Sequence, residues 1–148
     1  NGKVKGVRYY GVNKIKPSLY ALDAIKSSNM IIIAPGNPIS SISPILAIKE
    51  IKNLLVKMKN KCVAISPIIG TNPISGPAAK YMESVNVDVS PYGVAKFYSD
   101  VISKFVIHTT DKIYASKIAG LGVRVYDTNI IMKYKNDETR LASYLLGL

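Results

Sequence analysis

Apolar and polar positions along the chain fall into two alternating rhythms. From Pro17 to Ser28, Leu19, Leu22 and Ile25 recur at three-residue steps, the spacing of one helix face. Met30-Ile31-Ile32-Ile33-Ala34 follows as an unbroken apolar run, the pattern of a strand buried on both faces of a parallel sheet. The strong turn signal Pro35-Gly36-Asn37-Pro38 closes it. Ser40 or Ser41 is placed to cap a short helix around Ser43 to Ala47, and the helical pattern continues from Ile48 to Met58. A second apolar run, Cys62 to Ile65, leads into a Gly-, Pro- and Ser-rich loop that ends at Pro77, where a helical pattern runs to Val85.

Further helical runs are predicted from Pro91 to Asp100, from Asp111 to Ala119 and from Glu138 to Leu146. Gly120 and Gly122 are placed to end the second of these. Short strands are predicted at Lys3 to Gly11, Phe105 to His108 and Val123 to Tyr126. Strands and helices alternate, which predicts one α/β, Rossmann-like domain with a mostly parallel sheet and helices on both faces.

In such sheets ligands sit beyond the carboxyl ends of the strands. The loops Pro35–Ser41 and Pro67–Pro77 both follow strands and so share that edge. Gly70 and Gly76 let a ligand approach the main chain, and Pro77 suits a first helical turn whose free N–H groups favour an anion. The pair of loops reads as a phosphate or diphosphate cradle. A long irregular connection stiffened by prolines would produce the same pattern. Neither G-x-x-x-x-G-K-[ST] nor a G-x-G-x-x-G after a strand occurs.

Composition narrows the alternatives. The 148 residues carry a formal charge of +11, which attracts polyanions in general. The lysines are scattered over polar helix faces (Lys49, Lys52, Lys57, Lys59), without a basic block or a zinc-finger spacing, so no nucleic-acid role is expected. No apolar run reaches the roughly 18–20 residues of a membrane span, and no membrane association is expected. The single Cys62 excludes an internal disulfide and reads as a small buried hydrophobe, which suits a cytoplasmic setting. The single His108 excludes a two-histidine metal site, and no metal ligand or catalytic residue is assigned. Asp111 is at home as a helix N-cap, and Asp127 stands after a strand, where a carboxylate could reach the cradle. Tyr9, Tyr10, Tyr92 and Tyr98 could stack on a ring or pack in the core.

Ala34-Pro35-Gly36-Asn37-Pro38-Ile39-Ser40-Ser41-Ile42-Ser43-Pro44-Ile45-Leu46 resembles the "GPGNPxTSIxPIL" segment of the 2-phospho-L-lactate transferases of coenzyme F-420 biosynthesis. Ser66 to Ala78 resembles the same family's "SPIIGGxxxxGPA" loop. Ordered matches continue at Gly93-Val94-Ala95, Tyr98, Asp100, Phe105-Val106-Ile107, Asp111, Asp127-Thr128, Met132 and Arg140-Leu141-Ala142. The family's Gly-rich first loop and Asp-rich segment find no counterpart, so the chain resembles the carboxy-terminal half of a longer transferase.

The resemblance implies transfer of a phospholactyl (or phosphoenolpyruvyl) group from a guanosine diphosphate ester to a deazaflavin, with release of GMP. Mg2+ is the implied cofactor, and a homodimer is expected. Asn37 and Ser41 of the first loop, and the backbone N–H groups of Gly70, Thr71, Gly76 and Ala78 of the second, are the implied substrate contacts. Thr71 stands where the family has a second Gly, Asn72 and Ser75 where basic residues are common, and His108 where an Asp is usual. Two other readings stay open. One is a nucleotide-sugar-binding regulator of the same superfamily without transferase activity; the other is a piece that self-associates through an exposed apolar edge.

Overall fold

Cys62–Ile65 is the most deeply buried strand, with all four residues buried. In this computed structural model, which describes residues 4–148, it is the second strand of a four-stranded sheet. After the helix α1 (Leu19–Ser27) comes β1 (Ile31–Ile33), then α2 (Ser43–Leu46), α3 (Lys49–Lys57) and β2 (Cys62–Ile65). A small antiparallel hairpin of β3 (Ile68–Ile69) and β4 (Asn72–Pro73) follows, and then α4 (Ala78–Ser84), α5 (Pro91–Tyr98) and β5 (Lys104–His108). The chain ends with α6 (Ala115–Ala119), β6 (Arg124–Thr128) and α7 (Lys135–Leu146).

The sheet order is β1-β2-β5-β6 and every pairing is parallel. The order advances in one direction only, so right-handed crossovers place the connecting helices on one face. That face packs Cys62, Ala64, Phe105 and Ile107 against Ile51, Leu55, Met82, Val94 and Ile118. On the opposite face Val63, Ile65 and Val106 pack against Leu141 and Leu145 of α7. The two-residue alternation of β2 and β5 is thus divided between two cores. Burial pushes the Cys62 thiol up to about 11, as suits a packed sulfur rather than a reactive one.

The α/β, Rossmann-like expectation holds, with three corrections. No strand forms over Val4 to Gly11, and Lys3 lies outside the described residues. This segment instead packs by Val7 against the core and by a hydrogen bond from the Tyr9 hydroxyl to the Ile39 carbonyl. The run Met30–Ala34 is an edge strand and not one buried on both faces. Ile33 is buried, but Ile32 points to the α7 side and stays 43% exposed. Asp111 is not a helix N-cap: the Thr110 N–H donates to Nδ1 of His108, and Asp111 lies buried in a 3-10 turn beyond it. Among the described residues no helix is long and apolar enough to cross a membrane.

Local chemistry explains most boundaries. Ser18 caps α1 through the Ala21 N–H, and Ser90 caps α5 through the Gly93 N–H, just before Pro91. The Asp137 carboxylate accepts the N–H groups of Lys133 and Tyr134 ahead of α7. These backbone bonds, aided by Arg140, hold its carboxyl below the usual carboxylate range.

Among the described glycines Gly93 meets the tightest approach, because a Cβ there would lie 1.9 Å from the Asp88 carbonyl oxygen. Gly93→Ala is therefore expected to cost about 3 kcal/mol or more, since neither backbone can yield without moving the α5 cap. Urea unfolding measures the loss; an unchanged midpoint would contradict this packing.

Candidate functional site

β1 and β2 are paired in parallel with Ile33 opposite Ala64, so their carboxyl ends leave the sheet side by side. The two loops that follow face each other across a cavity of about 300 Å³. Pro35, Gly36, Asn37, Ser40 and Ser41 line one side, and Pro67, Ser75, Gly76, Pro77 and Ala78 line the other.

The first loop is shaped by its own polar groups. Oδ1 of Asn37 accepts the N–H groups of Ile39 at 2.9 Å and Ser40 at 3.2 Å. Pro38, which has no N–H to satisfy, then opens a π-helical turn over Pro38–Ile42. The Ser43 hydroxyl donates to the Pro38 carbonyl at 2.7 Å and ties off the far end of the turn. Asn37, expected as a ligand contact, is thus first a cap. Its carboxamide N–H groups and the exposed hydroxyls of Ser40 and Ser41 are the donors that remain for a ligand.

The second loop is more ordered than an irregular connection. Ser66 is fully buried, and its hydroxyl donates to the Ile68 carbonyl and accepts the Ile68 N–H. The hairpin then turns through Gly70-Thr71, with Gly70 at φ 60° as a two-residue turn with glycine first requires. The Ile74 N–H closes the base on the Pro67 carbonyl at 2.9 Å. Gly76 takes φ 66° and sends the chain into α4, which begins at Ala78, one residue later than expected, with Pro77 just before it.

Four of the six expected contacts are brought together here: Asn37, Ser41, Gly76 and Ala78. Gly70 and Thr71 are not. The Gly70 N–H is already donated to Oδ1 of Asp111 at 2.9 Å, and Thr71 is exposed at the hairpin tip. Gly70 therefore shapes the turn, with its N–H engaged outside the cavity lining. The N–H groups of Gly76 and Ala78 donate to no acceptor among the described residues. Ser40, expected as a possible helix cap, and Ser75, noted for standing where basic residues are common, also line the cavity although neither was expected as a substrate contact.

Among the described residues no charged side chain lines the cavity, so these residues offer a ligand neutral hydroxyl, carboxamide and backbone donors. That donor set suits phosphate oxygens. It does not suit a magnesium ion, which is held through carboxylates, and no cluster of three metal-binding side chains occurs among the described residues. Asp127 lies in β6 and pairs with Lys112 at 3.1 Å, away from the cavity lining. Tyr98 is buried in the main core and Tyr92 carries Lys117 over its ring, so neither is aimed at this cavity.

The 2-phospho-L-lactate transferase CofD family model matches residues 1–140. The chain belongs to that family. It is 44% identical over 131 residues to a 2-phospho-L-lactate transferase of Methanocaldococcus jannaschii, covering 88% of this chain and 40% of that protein. It is 36% identical over 146 residues to the enzyme of the same name from Methanosarcina barkeri, covering 99% of the chain and 47% of the relative. A third, from Methanothermobacter thermautotrophicus, is 38% identical over 142 residues, covering 96% and 46%. The chain thus spans less than half the length of these relatives and matches their carboxy-terminal portion.

Because Asn37 holds two backbone donors, Asn37→Ala is expected to cost about 1 kcal/mol, or about 2–4 °C in Tm. Thermal unfolding followed by circular dichroism reads the change. A Tm at the wild-type value would show that the first loop keeps its shape without the cap.

Proposed function

We propose that this chain supplies the nucleotide-diphosphate grip of a 2-phospho-L-lactate transferase. One observation carries the reading: the two segments that resemble the family's loops line a single cavity at the carboxyl edge of β1 and β2. In the proposed reaction the donor is a guanosine diphosphate ester of lactate or enolpyruvate. The terminal ribityl hydroxyl of a deazaflavin attacks the phosphorus that carries the lactyl group. A new P–O bond forms to that oxygen, the bond to the bridging oxygen breaks, and GMP leaves with the bridging oxygen while the hydroxyl gives up its proton.

The part assigned to this chain is positioning and charge stabilisation. Hydroxyls of Ser40, Ser41 and Ser75 and the N–H groups of Gly76 and Ala78 would hold the diphosphate oxygens. Neutral donors held by their own loops need little reorganisation as charge moves toward the leaving GMP. The magnesium that the resemblance implies finds no carboxylate among the described residues lining this cavity, so no step is assigned to it here.

Calorimetric titration with GDP, UDP-N-acetylglucosamine and ADP, each with and without magnesium, tests the reading. GDP is expected to bind at least about tenfold more tightly than the other two, a difference of about 1.4 kcal/mol. Preference for the UDP-sugar would overturn the transferase reading in favour of a nucleotide-sugar-binding regulator.

A further inference from the structure

Asp111 is 3% exposed, yet its carboxylate makes a single hydrogen bond among the described residues. Oδ1 accepts the Gly70 N–H at 2.9 Å across 41 residues of sequence, while Oδ2 has no partner. Taking a carboxylate out of water for one hydrogen bond is a poor way to gain stability. The bond's location gives it another use.

Gly70 is the tip of the β3–β4 hairpin. The base of that hairpin is anchored separately, by the fully buried Ile68, by the Ser66 hydroxyl and by the Ile74 N–H on the Pro67 carbonyl. Ser66 is itself tied to the sheet, through its N–H on the Val106 carbonyl at 2.9 Å. Asp111 stands in the turn that follows β5, so its bond to Gly70 pins the free end of the hairpin to the next strand of the sheet. Bonds at both base and tip restrain such a hairpin from rocking. The residues that leave it, Ser75, Gly76 and Ala78, belong to one side of the cavity wall, whereas Asp111 is not among the lining residues.

We propose that Asp111 is a positioning residue for the nucleotide pocket. By holding the Gly70 N–H it sets the second loop so that Ser75, Gly76 and Ala78 face Asn37 and Ser41 across the cavity. This rests on the nucleotide-diphosphate reading of that cavity.

The test measures amide hydrogen exchange and GDP titration on the full chain and its variants. In Asp111→Ala, exchange at Gly70 is expected to speed up about tenfold while the Phe105 and Val106 amides keep their protection, and GDP binding weakens about tenfold. Asp111→Asn keeps an acceptor at Oδ1 and should restore both to within about twofold of wild type. Should Asp111→Ala fail to fold, Asp111→Ser takes its place, because its shorter hydroxyl falls short of Gly70. Faster Gly70 exchange with unchanged GDP affinity would overturn the positioning role. So would an Asp111→Asn variant as weak as the alanine. A wild-type chain that binds no GDP would overturn the nucleotide reading and this role together, and Gly70 exchange would still show by itself whether the clamp exists.

Discussion

Parallel pairing of β1 with β2 is the constraint from which the cavity follows. Three residue pairs, Ile31 with Cys62, Ile32 with Val63 and Ile33 with Ala64, set the two strands side by side and point them the same way. Parallel strands end at the same edge, so the segments after Ile33 and after Ile65 must emerge as neighbours. The pairing is secured by burial of β2 on both faces, which leaves its register no freedom to slip. Shifting β2 by one residue would exchange Cys62 and Ala64 for Val63 and Ile65 in the two cores.

The loops on that edge are shaped from within. Asn37 and Ser43 fold the first through the backbone of Ile39, Ser40 and Pro38; Ser66 folds the second through Ile68. These bonds use up the donors and acceptors nearest the sheet and leave those at the rim: Ser40, Ser41, Ser75, Gly76 and Ala78. Although the chain carries +11 overall, no lysine or arginine among the described residues lines the cavity. The scattered surface charge is suited to drawing anions toward the molecule at long range, while neutral dipoles would do the holding.

Much of this was readable from residue order. The apolar runs around Ile31–Ile33 and Cys62–Ile65, the Ser90-Pro91 helix start and the two proline-glycine loops all appear where local propensity and hydrophobic burial point the same way. Failures came where a tertiary partner decided. The strand expected over Lys3 to Gly11 does not form over Val4 to Gly11, where the segment is held by Tyr9 on Ile39 and by Val7 on the core. Met30–Ala34 has the composition of a central strand but lies at an edge, since only the finished sheet order determines that Ile32 lacks a neighbour. Gly70 suggested a ligand contact, but its N–H belongs to Asp111, a partner 41 residues away that no local pattern could supply. Membership of the transferase family was legible because its two loop motifs are long and lie in order along the chain.

The central claim is that both loops grip one ligand, and amide chemical-shift mapping during a GDP titration tests it most directly. The account predicts that Gly36, Asn37, Ser40 and Ser41 shift together with Ser75, Gly76 and Ala78, along one binding curve, while the amides of Arg124 to Thr128 stay in place. Shifts confined to one loop, or shifts that saturate at different concentrations in the two, would contradict a shared pocket.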